Sequence, residues 1–327
     1  MIKKFKKSSE ATQAAIVFVA TFIILFAGIQ LGLISSYQTG IIISVLINIS
    51  LAVSLSLVTG YLGELALGHA GFMAIGAYTA GLITLNINLS PMIAFPFALL
   101  IGGLITGLMG IIIGIPALRL RGDYLGIITL GFGEIIRIIL NNLTITGGPK
   151  GLSGIPKYTN FIWAYWVTTI IVIVIFLLMN SRHGRAINAI RENEIAAESV
   201  GIPVAYYKTF AFAVSAFFAG ISGGLYAHYL TQLYPKKFDF LYSIEILVIV
   251  VLGGMKSLKG TIIAAIILGF ASEYLRRYAE YRMIIYSMLL IAIILLKTKG
   301  ITLKSIKEMI LKTLKKNKET STIEGSE

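Results

Sequence analysis

The chain has 327 residues, of which 57% are hydrophobic and only 13% charged, about half the charged share of a typical soluble domain. Its net charge is +13, but the basic residues sit at the ends of apolar segments, where membrane topology puts them, rather than in a patch suited to nucleic acid. It contains no cysteine, which excludes disulfides, thiolate metal sites and cysteine nucleophiles.

The composition predicts an all-α polytopic membrane protein with a single membrane domain, about ten transmembrane helices, some of them short or broken. Residues 1–13 form a basic N-terminus carrying Lys3, Lys4, Lys6 and Lys7. The apolar run at 14–34 is read as a retained first span. The competing reading is a cleaved signal peptide, but the run is long for one and a second span, 40–58, follows directly. Further spans are read at 61–85, 92–115, 124–140, 161–180, 208–230, 241–254, 261–274 and 283–296. With both termini in the cytoplasm, nineteen basic residues fall on the inner side and seven on the outer, the bias expected of a correctly oriented chain. The segment 141–160 is rich in Gly, Pro, Ser and Thr and predicts an outer loop of turns. In the tail, 297–327, Ile301, Ile306, Ile310, Leu311 and Leu314 lie among lysines. This is either a basic amphipathic helix resting on anionic lipid or a solvated charge run that only fixes topology.

Three apolar stretches carry unusual residues. In GYLGELALGHAGFMAIGAYTAG, Gly60, Gly63, Gly68, Gly71, Gly76 and Gly81 recur through one span together with Glu64 and His69. Glycines let membrane helices approach closely, so this is either a tightly packed helix or a broken, re-entrant span beside a pathway. Intramembrane ionisable groups favour the second reading. In LRLRGDYLGIITLGFGEIIR, Arg119, Arg121 and Asp123 mark the cytoplasmic entry to a span, as anchors or as a gate. Gly126, Gly131 and Gly133 allow close packing, and Glu134 and Arg137 are spaced to pair on one helix face. The third stretch, LGGMKSLKG, reads as a tight cytoplasmic turn between short spans, and Glu245 is a further acid in the span before it.

One long segment is too polar for its surroundings. Residues 182–203 hold Arg182, Arg185 and Arg191 with Glu192, Glu194 and Glu198, around a spine of Ile187, Ile190 and Ile195. The pattern predicts a helix. Both signs of charge and the small residues Ala196 and Ala197 suit docking into a protein groove better than lying on an anionic membrane. No catalytic arrangement stands out: there is no phosphate loop, no zinc spacing, no paired aspartates, and His69, His183 and His228 are scattered. A transporter is favoured over a membrane enzyme, with its energy supplied from elsewhere and with no cofactor or metal.

These blocks together carry a resemblance. GYLGELALGHAGFMAIGAYTAGL, LRLRGDYLGIITLGFGEIIR with TGGPKGLSGIP, GRAINAIRENEIAAESVGI, LGGMKSLKG and the YRM at 281–283 occur in this order across most of residues 60–283. The chain resembles the LivM-type permease subunits of branched-chain amino acid ABC importers. The resemblance implies a multi-pass plasma-membrane subunit with no ATPase site of its own. Its implied partners are two cytoplasmic ABC ATPase subunits, a LivH-like second permease subunit and an external solute-binding protein. It implies that residues 182–201 are the ATPase-coupling helix, with Arg185, Arg191, Glu192, Glu194, Ala196, Ala197, Glu198 and Gly201 at the contact. Gly63, Glu64, Gly68, His69, Gly71 and Glu134 are then expected along the translocation path. Lys256, Lys259 and Glu64 depart from the family pattern. Relatives carry other amino acids, amides or urea, and an ion-coupled secondary transporter using Glu64 or Glu245 is the competing class.

Overall fold

The computed structural model describes residues 18–87, 89–118, 123–274 and 288. The basic N-terminus, Arg119 and Arg121, the YRM at 281–283, the span at 283–296 apart from Met288, and the tail at 297–327 lie outside the described residues. The chain divides into two compact units, Met1–Tyr274 and Leu275–Glu327, and the fold below is that of the first.

The apolar runs form helices, because a span in lipid must satisfy its backbone groups internally. In chain order these are α1 (Phe18–Gln30), α2 (Ser36–Leu55), α3 (His69–Asn86), α4 (Pro91–Ala117), α5 (Asp123–Asn142), α6 (Phe161–Asn180), α7 (Arg182–Glu192), α8 (Glu194–Ser199), α9 (Val204–Leu230), α10 (Phe240–Gly253) and α11 (Leu258–Tyr274). Among the described residues, five stretches are long and apolar enough to cross a membrane: Ser36–Leu62, Pro91–Ala117, Tyr124–Asn142, Phe161–Asn180 and Val204–Leu230. α1 docks on α6 through Phe22, which packs against Phe161 and Tyr165 with ring centroids 6.0 and 5.2 Å away. The architecture is that of an all-α polytopic membrane protein.

Glycines set the centre of the bundle. α3, α4 and α9 meet where Gly76 lies on the carbonyl oxygen of Gly220, and Gly223 on that of Met73. A Cβ on Gly102 would stand 3.0 Å from the Gly76 oxygen, and one on Gly110 would stand 2.6 Å from the Cβ of Ala216. The backbones themselves are in contact, which is how helices pack where no hydrophobic effect drives them together.

α2 and α9 run antiparallel; three contacts fix their register and a fourth joins α9 to Glu64, beyond the end of α2. Tyr229 donates to the Gly40 carbonyl (3.0 Å), Ser50 to Ser222 (2.7 Å), Ser215 to the Ser54 carbonyl (2.7 Å), and Lys208 to Glu64 (2.6 Å). α2 reaches the end of the bundle occupied by α7 and α8 through a π-helical turn, Ser56–Leu62, which closes on Gly63 at φ +85°. Residues 63–68 are not helical, and α3 begins only at His69. His69 Nε2 lies 2.8 Å from Ser54 Oγ, so α3 starts at the depth of Ser54. That is nine residues, or about 13 Å of helix, inside Gly63. Six residues can reach up to about 20 Å, so the non-helical segment is long enough to climb back to that level. The stretch expected as one span over 61–85 is therefore a non-helical entry followed by helix α3, the broken form of the two readings.

Two features differ from the sequence reading. The helix expected over 182–203 breaks at Asn193, whose φ of −161° and ψ of 109° are extended. The loop at 141–160 contains a two-residue strand β1 (Leu152–Ser153) that pairs antiparallel with β2 (Gln232–Leu233), Leu152 opposite Leu233 and Ser153 opposite Gln232. As the sequence leads one to expect, α10 and α11 are short, with 14 and 17 residues, fewer than a perpendicular crossing needs. They are joined by the expected tight turn, in which Gly254 and Lys256 take positive φ.

Candidate functional site

The polar elbow of α7 and α8 is built from its caps. Ser181 caps α7 by accepting the His183 amide (3.1 Å), and Ile187 and Ile190 anchor the helix in the core. Asn193 ends α7 and at once caps α8, its side-chain oxygen accepting from Ala196 N (3.0 Å). α8 ends on Gly201 at φ +85°. Ile202 N bonds the Ala197 carbonyl (3.1 Å) and Gly201 N that of Glu198 (2.9 Å), the paired bonds of a Schellman stop.

Restarting the helix at Asn193 turns its residues two ways. Ala197 is buried, while Ile195 and Val200 are 72% and 76% exposed. Ile195 thus leaves the spine that the sequence spacing gave it with Ile187 and Ile190. Arg185, Ala196, Glu198 and Gly201 share the exposed side. Arg191, Glu192 and Glu194 turn back toward the chain itself.

Arg191 and Glu194 clasp the break between α2 and α3, and Glu192 reaches the α10–α11 turn. Arg191 donates to the carbonyl of Gly60, one of the acceptors a helix end leaves without an internal partner, and its positive charge suits that end of the helix dipole. The Arg191 stem covers Gly63 so closely that a Cβ there would stand 2.9 Å from its Cγ. Glu194 accepts from Lys208 Nζ at 3.0 Å, and the same ammonium donates to Glu64 at 2.6 Å. The Lys208 side chain is 4% exposed, that of Glu64 14% and that of Glu194 32%, so the ammonium is buried while one of its acids reaches the surface. Glu192 pairs with Lys256 in the α10–α11 turn. The Lys256 ammonium bonded to it holds the Glu192 carboxyl below its ordinary value of 4.5.

The residues named for the path divide as well. Gly68 and Gly71 press on α5: a Cβ on Gly68 would collide with the Thr129 carbonyl oxygen, and one on Gly71 would stand 2.8 Å from Gly133 Cα. Leu67 N donates to Thr129 Oγ1 (3.0 Å) and Ala70 N to Ser243 Oγ (2.9 Å). A small recess is lined here by Leu67, Ala70, Gly71, Gly133, Glu134 and Ser243. Glu134 and Arg137 make the ion pair their spacing predicts, at 2.6 Å. His69 points into the core toward Ser54, and Glu64 belongs to the clasp. Gly71 and Glu134 therefore share one recess, and Gly63 and Glu64 lie at another place.

Lys208 was read from sequence only as the edge of a span. A lysine at the head of an apolar run is itself the signal, since a cation in a span needs a partner, but nothing local names Glu64 as that partner. Val200 likewise escaped notice, lost among polar neighbours.

The sequence matches the family described as "Branched-chain amino acid transport system / permease component" over residues 37–296. It is 38% identical over 262 residues to the high-affinity branched-chain amino acid transport system permease protein LivM of Salmonella typhimurium, covering 69% of this chain and 61% of that protein. The Escherichia coli K12 protein of the same name matches to the same extent. A probable LivM of Methanocaldococcus jannaschii is 28% identical over 176 residues, half of each chain. The chain spans about three fifths of the length of its bacterial relatives. No solved structure matches it. The family match covers most of the sequence, and the chain belongs to the permease components of branched-chain amino acid transport systems.

Proposed function

We propose that the chain is the membrane-spanning permease subunit of an ABC importer for branched-chain amino acids. In this reading two ATPase subunits drive it from the cytoplasm, a LivH-like permease pairs with it, and an external solute-binding protein delivers the amino acid. The α7–α8 end and both termini face the cytoplasm. The names of the relatives support the substrate class.

The observation that carries the reading is the outer side of α8. Ile195 and Val200 stand in the open between charges of both signs, on a segment whose inner side is fastened to the bundle. A water-facing helix that exposes two large aliphatic side chains is built to be covered by protein. An ATPase groove seated there moves the elbow as the nucleotide is hydrolysed. The recess of Gly71 and Glu134 lies along the path that this motion opens, and the amino acid needs only weak contacts in it. The ion-gradient alternative needs an unengaged acid, whereas Glu64 already faces Lys208 and Glu245 is engaged as well.

The test is disulfide crosslinking to a cysteine in the ATPase groove. A cysteine at exposed Ala196 is expected to crosslink, and one at buried Ala197 to do so at least tenfold less. Proteoliposomes holding the full importer should take up labelled leucine only with ATP and the binding protein. Uptake driven by an ion gradient without ATP would overturn the reading.

A further inference from the structure

We infer that Lys208 is the positioning residue that transmits movement of α8 to the break between α2 and α3. The inference rests on the reading of α7–α8 as the ATPase-docking element and adds the route by which that element acts.

Three segments meet at one ammonium. Lys208 belongs to α9, which glycine contacts lock to α3 and α4, so its backbone is part of the fixed frame. Its two carboxylate partners are not on that frame. Glu194 is the first residue of α8, beyond the Asn193 break, and Glu64 follows Gly63 at the foot of the non-helical segment 63–68. The gaps of 2.6 and 3.0 Å are those of charge-assisted hydrogen bonds. A lysine, with three donors on a flexible stem, can serve both acids at once.

The segment it holds is the one able to respond. Gly63 N and Glu64 N both bond the Val58 carbonyl, at 2.9 and 3.2 Å, so the π-helical turn carries Glu64 with it. Beyond it the chain is non-helical and is fastened to α5 through the Leu67 amide. π-helical turns are rare and recur at functional sites. Gly63 in the left-handed region gives the pivot. Arg191 holds the same turn from α7 through the Gly60 carbonyl. A displacement of the elbow thus pulls on the turn at two points, Gly60 and Glu64. Through residues 63–68 it reaches the start of α3, where Ala70 and Gly71 line the recess. Drawing Glu194 away leaves a buried ammonium with half its partners, so α8 cannot move without reorganising the Lys208–Glu64 contact.

The experiment uses the complete reconstituted importer and reads leucine transported per ATP hydrolysed, with the Ala196 crosslink as a separate report of docking. Lys208→Met is expected to lower leucine per ATP at least tenfold while the crosslink yield is unchanged, and Lys208→Arg to retain most of the ratio. Because Lys208→Met leaves two acids unmatched and can fail to fold, the charge-reversed triple variant Glu64→Lys, Glu194→Lys, Lys208→Glu is the companion. It is expected to recover the ratio to within about threefold, whereas Glu194→Lys alone stays uncoupled. An unchanged ratio in Glu194→Lys, or a triple variant that folds and docks yet stays as uncoupled as Glu194→Lys, overturns the inference while leaving the docking reading intact. Absence of any Ala196 crosslink in the otherwise unchanged chain removes the docking reading and the inference together.

Discussion

Where α3, α4 and α9 cross, backbone meets backbone through Gly76, Gly102, Gly220 and Gly223; where the α7–α8 elbow meets the α2–α3 break, charge meets charge through Arg191, Glu194, Lys208 and Glu64. The first junction has no adjustable parts. Dispersion between close-packed backbones is short-ranged, so a shift of an ångström forfeits much of it. The second is made of long side chains with several donors and acceptors, which can exchange partners over several ångströms. The difference assigns the roles: the glycine junction is a frame, and the charged junction is a joint.

The comparison breaks first, and by the largest amount, at the frame. Gly76→Val and Gly223→Val each drive a side chain into a neighbouring carbonyl oxygen. Overpacking against movable side chains ordinarily costs about 1–3 kcal/mol, and here the obstacle is backbone. Loss of folded protein is expected, read as collapse of the monodisperse peak in detergent size-exclusion chromatography. Gly131, whose Cβ would meet nothing within 4 Å, is the control. Gly131→Ala should leave the melting midpoint unchanged or raise it, by about 1 kcal/mol at most. If Gly76→Val folds as well as Gly131→Ala, the frame assignment is wrong.

Most of the frame was legible in the sequence and most of the joint was not, and the reason is range. Apolar length alone marks spans: the run at 161–180 is helix α6 to the residue. The glycines at 60–81 announced a broken span, because glycine and ionisable residues recur there together. The elbow misled at one point. Counting helical turns from Ile187 and Ile190 through to Ile195 assumes one continuous helix, whereas Asn193 competes for the backbone and restarts it. The clasp joins residues 144 positions apart, and the β1–β2 pairing joins two loops by two residues each. Neither leaves a periodic trace. Both acids of the joint were noticed from sequence, Glu64 as a path residue and Glu194 as a docking residue, but the lysine that unites them was not.

A smaller effect is expected where α8 stops. Gly201 has φ +85° and open space around the position of a Cβ, so only the backbone conformation resists substitution there. A non-glycine residue in the left-handed region costs roughly 1–2 kcal/mol. Gly201→Ala is expected to loosen the last turn of α8 and lower ATP-driven uptake severalfold, with the melting midpoint of the bundle nearly unmoved. Gly201→Asn, which tolerates this conformation better, should lie between. A parallel fall in melting midpoint and uptake would make α8 part of the frame after all.

The smallest effect belongs to the outermost contact of the joint, Glu192 with Lys256. Its side chains are 71% and 39% exposed, and exposed ion pairs are screened by water and salt. The bonded ammonium depresses the Glu192 pKa in the folded chain below its ordinary 4.5. The sign follows: the unfolded state binds the proton more readily, so the pair's contribution is complete above pH 4.5 and fades as pH falls through the lower folded value. Glu192→Gln should therefore narrow slightly the gap between melting midpoints at pH 7 and pH 4, and leave leucine transported per ATP unchanged. A loss of coupling as large as that of Lys208→Met would show that the joint extends to the α10–α11 turn and is not centred on the buried lysine.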